Sequence, residues 1–142
     1  MNHLTLFISH NGLLVAGFVL VAVLLIINEL SVRFSGIQSL APDQLVHWLN
    51  RKEAVVIDVR DVAAFKGGHI VNAINVPRET LVNALDQKLS KHKSKPVVVY
   101  CANGQNSAKA AGQLRKNGFT EVAYLRGGLA AWRSASLPVT KN

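Results

Sequence analysis

Pro96-Val97-Val98-Val99-Tyr100-Cys101-Ala102-Asn103-Gly104-Gln105-Asn106-Ser107 passes from an unbroken apolar run, through a short polar turn, into a helical pattern. The apolar run is rich in β-branched residues and begins at a proline, so it reads as a strand. It shows no clean alternation of apolar and polar residues, which marks a strand buried on both faces. Across 107–117, Ala108, Ala111 and Leu114 recur at helical spacing, and Gly118 supplies a stop. A doubly buried strand feeding a helix predicts an α/β domain on a parallel sheet.

Working outward, the same rhythm repeats. Residues 54–59 and 73–76 read as strands, the second stopped by Pro77, and 79–89 reads as a helix with Leu81, Leu85 and Leu89 on one face. Val122-Ala123-Tyr124-Leu125 is a last strand, and 129–132 opens a last helix. Upstream, 39–44 starts a helix whose inner face is Leu45, Trp48 and Leu49. Pro42 suits its first turn, but Ala41 is a poor N-cap. Lys88, Lys91, Lys93 and Lys95 read as a solvated helix end and loop. The expected domain spans 37–139.

The chain ahead of it has another character. Gly12-Leu13-Leu14-Val15-Ala16-Gly17-Phe18-Val19-Leu20-Val21-Ala22-Val23-Leu24-Leu25-Ile26-Ile27 carries no polar side chain. Extended to residue 30 it makes a helix of about 28 Å at about 1.5 Å per residue. That can just span a hydrocarbon core of about 30 Å. Its apolar residues cover every side, unlike a surface helix. The expected layout is therefore a short segment 1–11, a transmembrane helix 12–30, a linker 31–36 and the domain. A cleaved signal peptide fits less well, because no positive n-region or small-residue cleavage site frames the run.

Charge is as uneven as hydropathy. All sixteen Lys and Arg lie at or beyond Arg33, against seven of the eight carboxylates. By the positive-inside rule the domain faces the cytoplasm, which predicts a single-pass protein of the inner membrane. A basic domain beside an anchor suits anionic lipid. No aromatic platform accompanies the charge, which argues against nucleic acid. The composition excludes intrinsic disorder, and a lone cysteine excludes an internal disulfide.

That cysteine stands where open α/β sheets bind their ligands, at the end of a parallel strand. Gly104 lets the backbone curl so that successive N–H groups turn inward as an anion nest, and the following helix adds its N-terminus. Such surroundings lower a thiol pKa towards the reactive thiolate. The plainer alternative is a small buried apolar residue. His47, His69 and His92 lack metal-ligand spacing, so no metal is expected.

Three ordered stretches bear a family likeness. The first is Val56-Ile57-Asp58-Val59-Arg60, Phe65-Lys66-Gly67-Gly68-His69-Ile70 and Ala73-Ile74-Asn75-Val76-Pro77. The second is Tyr100 to Ser107. The third is Leu114-Arg115-Lys116-Asn117-Gly118-Phe119, then Val122, Leu125-Arg126-Gly127-Gly128 and Trp132. Together they resemble the single-domain rhodaneses, sulfurtransferases that carry sulfur as a cysteine persulfide. The resemblance implies a rhodanese-like parallel sheet flanked by helices. It makes Cys101 the nucleophile, and Ala102, Asn103, Gly104, Gln105, Asn106 and Ser107 the loop that cradles the persulfide. Asp58 and Arg60 would brace that loop, and His69 would sit in a structural turn. No cofactor is implied. The implied partners are a sulfur donor, thiosulfate or a protein persulfide, and a thiol acceptor, with a membrane or sulfur-trafficking protein as a further candidate.

One position departs from the pattern. Members of the family commonly hold a basic residue five places after the cysteine, where this chain has Asn106. Weak thiosulfate binding is therefore expected, unless Lys109, Arg78 or Arg126 restores the charge. Gly127 and Gly128 are expected to serve close packing in a tight turn. A non-catalytic docking or redox-sensing module is the alternative reading, since fold alone does not fix function. The related cell-cycle phosphatases carry a loop one residue longer that ends in a phosphate-gripping Arg, which this loop lacks.

Overall fold

From Gly12 to Ile27 no side chain offers the backbone a polar partner, so a helix that pairs the backbone with itself suits the N-terminal segment. In the computed structural model, which describes residues 2–34 and 36–141, it forms α1 (Asn2–His10) and α2 (Gly12–Phe34). Asn11 separates them without breaking the ladder: its N–H donates to Phe7 O and its carbonyl accepts from Val15, both at 3.0 Å. Gly12–Leu30 has a mean hydropathy of 2.6 and none of it is buried within the protein. The helix runs on to Phe34, so most of the expected linker 31–36 is helical. Ser31-Val32-Arg33-Phe34 contains no breaker, and Gly36, at φ +67°, is the first residue with the freedom to turn. The chain divides there into two compact units, Met1–Ser35 and Gly36–Asn142.

The second unit is an α/β domain. Its main sheet is wholly parallel, built from β1 (Gln38–Leu40), β2 (Val55–Asp58), β4 (Ile74–Asn75), β5 (Pro96–Tyr100) and β6 (Glu121–Leu125) in the order β1-β6-β5-β2-β4. β3 (His69–Ile70) and β7 (Val139–Thr140) form a separate antiparallel pair. Side chains alternate along β5: Val97 and Val99 enter one core and Val98 and Tyr100 the other. The absence of a polar face in the sequence thus has its cause, since helices cover both sides.

One core holds Leu81 and Leu85 of α5 (Leu81–Gln87) and Ala110, Ala111 and Leu114 of α6 (Ser107–Lys116). The other holds Leu45 and Trp48 of α3 (Pro42–Lys52) and Leu129 and Trp132 of α7 (Gly128–Ser134). The remaining helix, α4 (Val62–Lys66), starts where the Asp61 carboxylate accepts from Ala64 N–H at 2.7 Å. α3 is better closed than Ala41 promised, because Gln44 Oε1 reaches back to Ala41 N–H at 2.8 Å.

Two further expectations change. Residues 38–40 form edge strand β1, paired with β6, where the sequence suggested the start of a helix. The helix expected over 79–89 is shorter: Arg78–Thr80 is a 3-10 turn, α5 follows, and Leu89 is buried beyond its end.

β2 and β5 are neighbours whose outgoing chains part in opposite directions, one towards β4 and the other towards β6. Such a parting opens a crevice at the carboxyl ends of the strands. In register, Asp58 lies beside both Asn75 and Tyr100, so all three strands end together.

Candidate functional site

Backbone pairing continues past the strand ends and sets what faces the crevice. Val59 N–H donates to Tyr100 O at 3.1 Å, and Val59 O accepts from Arg78 N–H at 3.2 Å. Arg60, Cys101 and Arg78, from three different segments, therefore surround one pocket of about 380 Å³. Ala102, Asn103, Gln105 and Asn106 line it as well.

Cys101 is only 4% exposed, and the loop folds back over its sulfur. Gly104 N–H lies 3.0 Å from Sγ. Burial pushes the thiol up, but donors from Asn106 N–H, the Ser107 hydroxyl and N–H, and Asn103 N–H outweigh it. The net effect holds Cys101 below its ordinary pKa, as an anion nest at the start of α6 should. The Ser107 hydroxyl also lies 3.1 Å from Gly104 O, so its single proton serves one acceptor at a time.

The loop takes its shape from behind. Leu129 N–H donates to Cys101 O at 2.9 Å and Ala130 N–H to Ala102 O at 3.1 Å. Those bonds turn two carbonyls towards α7, away from the loop's concave side. Gly128, at φ +58°, makes the approach possible: a Cβ there would lie 2.4 Å from Cys101 O. Close packing is thus what this glycine provides.

Asp58 and Arg60 meet on the other side of the crevice. Arg60 Nη2 donates to Asp58 Oδ2 at 2.7 Å and to Gly68 O at 2.7 Å, and Arg60 N–H donates to Asp58 Oδ1 at 2.9 Å. Asp58 is fully buried. Burial opposes the charge on Arg60, yet Asp58 holds its pKa above the usual value. Buried beneath them is Tyr100, whose hydroxyl accepts from Ile70 N–H at 3.1 Å. Burial first, and then Asp58, push the phenol pKa up. His69, expected in a structural turn, instead opens β3 just after the turn at Gly67, with Nδ1 2.8 Å from Phe65 O and its ring stacked on Phe65 at 3.7 Å.

Of the three cations that could supply the missing loop charge, Arg78 is the one that lines the pocket. Its Nη1 donates to Asn106 Oδ1 at 2.9 Å. Arg126 donates instead to Ser39, and Lys109 is exposed on α6 outside the pocket lining. Asp61, Ala64 and Glu79 also line the pocket, and sequence reasoning does not single them out. Position after a strand end is their one available signal.

A family model described as the rhodanese-like domain matches residues 41–135. Over its whole length the chain is 29% identical to the uncharacterised protein YibN of Escherichia coli K12, and covers 99% of it. It is 35% identical to the thiosulfate sulfurtransferase GlpE of Shewanella oneidensis, over 72% of this chain and 98% of that protein. Among solved structures, the rhodanese-like domain of the Alr3790 protein from Anabaena superposes with a TM-score of 0.66 at 32% identity. That alignment covers 73% of this chain and 79% of the other. Sequence motifs, sheet and relatives agree, and the chain belongs to the rhodanese-like domain family.

Proposed function

We propose that the chain is a membrane-tethered sulfurtransferase in which Cys101 carries the sulfur. Members of this family commonly have sulfurtransferase activity, and one relative bears that name. The convergence of loop N–H groups on the Cys101 sulfur carries the reading, because it favours a thiolate and then a persulfide anion in the same cradle. Asp58 and Arg60 fix the facing wall and take no part in bond making.

With thiosulfate as donor, the Cys101 thiolate attacks the outer, sulfane sulfur. A new S–S bond forms as the bond to the sulfonate sulfur breaks, and sulfite leaves with the bonding pair. Cys101 is left as its persulfide anion. A thiolate acceptor then attacks the terminal sulfur, becomes a persulfide itself and returns the Cys101 thiolate. A protein persulfide delivers its sulfur by the same exchange, with a protein thiolate as leaving group.

Residues 12–30 would hold the chain in the inner membrane with the domain on the cytoplasmic side, the side that keeps a lone thiol reduced. The reading is tested on the full chain in detergent micelles, incubated with thiosulfate or a protein persulfide. Intact mass should rise by one sulfur atom at Cys101, and Cys101→Ser should show no gain. A wild-type chain that takes sulfur from neither donor would leave a docking module in its place.

A further inference from the structure

Asn106 holds the residue just before α6, where an asparagine ordinarily turns its side chain onto the free N–H groups of the first turn. Here it makes no such cap. Its Oδ1 accepts from Arg78 Nη1 at 2.9 Å, and both residues line the pocket that holds Cys101. One residue thus ties the cysteine loop to a guanidinium from another segment. Arg78 is positioned from below as well, by its N–H bond to Val59 O.

The charges lining the pocket are Arg60, Asp61, Arg78 and Glu79. Arg60 is committed to the buried Asp58 carboxylate, and Asp61 to the start of α4. Among the described residues, Arg78 spends one side-chain donor on a neutral amide and retains the others. Glu79 lies on the same wall, so selection depends on the reach of Arg78 and not on a uniformly positive surface.

We infer that Arg78, aimed by Asn106, is the residue that selects anionic sulfur donors, receiving the sulfonate end of thiosulfate or of an organic thiosulfonate. The sulfane sulfur then points at Cys101, and the leaving group, sulfite from thiosulfate or a sulfinate from a thiosulfonate, departs with the bonding pair against the guanidinium. This rests on Cys101 being the sulfur acceptor, and it replaces the weak thiosulfate binding expected from Asn106 alone. Arg78 supplies the charge that the loop itself lacks.

The test needs a readout independent of sulfur transfer, and the single cysteine provides one. In the full chain in micelles, Cys101 is alkylated with anionic iodoacetate and neutral iodoacetamide, and the ratio of rates is compared. Arg78→Gln should lower the ratio about fivefold and kcat/KM for thiosulfate about tenfold, the loss of one charge-assisted contact. Arg78→Lys should keep most of the ratio, and Asn106→Ala should lose part of it by releasing the guanidinium. The differences should shrink as salt rises. The iodoacetamide rate and the circular dichroism spectrum report whether each variant is folded. An unchanged ratio in folded Arg78→Gln would overturn the inference. A fallen ratio in a chain that transfers no sulfur would sustain anion selection and remove the sulfurtransferase reading instead.

Discussion

The donors that hold the Cys101 pKa down are backbone N–H groups and one side-chain hydroxyl, and the hydroxyl can be removed by itself. Ser107→Ala deletes a hydroxyl that lowers the thiol pKa. The pH midpoint of Cys101 alkylation should lie below the free-cysteine value of about 8.5 in the wild type and rise in this variant. Gly128→Ala acts from the far side of the loop. Its new methyl would sit 2.4 Å from Cys101 O, so either the loop or the α7 turn must shift. The expected cost is about 1–3 kcal/mol, with slower alkylation, read from thermal melts and rate measurements. Asp58→Ala leaves Arg60 partly buried without its carboxylate and should cost about 3–5 kcal/mol. A melt within about 1 kcal/mol of wild type would show that the pair has no bracing role. The cysteine, its loop and the Asp58–Arg60 pair are all legible in the sequence, because each lies within a short contiguous string. Arg78 can only be named there as one of three cations. Its approach to Asn106 follows from strand pairing between segments far apart in the chain.

At the scale of elements, legibility follows length. The unbroken apolar run 96–100 and the helical period of 107–116 are plain in the sequence, and both stand where expected. Strands of two or three residues have no period to show. Gln38-Ser39-Leu40 ends one residue short of a helix-starting proline, and pairing with β6 makes it a strand. β3 and β7 are fixed by each other in the same way. The lysine-rich run 88–95 hides a different feature. It reads as solvated, yet His92 in its middle is buried, and among the described residues neither ring nitrogen has a hydrogen-bond partner. Burial first, then Lys91 and Lys95, lower the His92 pKa. In the unfolded chain the ring protonates near pH 6.5, whereas the folded ring resists it until lower pH. The unfolded state therefore binds more protons in that window, and stability falls as pH drops through about 6.5. His92→Leu should flatten the change in Tm between about pH 7.5 and 5.5. An equal slope in wild type and variant would assign the acid sensitivity elsewhere.

For the whole molecule, the proposed anchor makes a cellular prediction. The chain should stay with membranes through alkaline carbonate, and a thiol reagent confined to the cell exterior should leave Cys101 unlabelled until the cells are permeabilised. Labelling in intact cells would reverse the orientation inferred from Arg33 and the cations beyond it. The order of the sheet bears on a different event, the making of the protein. β1 leaves the ribosome early, yet its sole partner in the sheet is β6, with Gln38 waiting for Ala123. The β6 side of β5 stays open for the same reason until Glu121–Leu125 arrive. At about 5–20 residues per second, β1 waits on the order of ten seconds. Once Tyr100 has emerged, the nascent chain also carries the unpaired edge of the strongly apolar β5, an edge of the kind that recruits other chains. Demand for chaperones should therefore peak during translation, in the stretch between Tyr100 and Glu121, and end when β6 slides into the gap between its two neighbours.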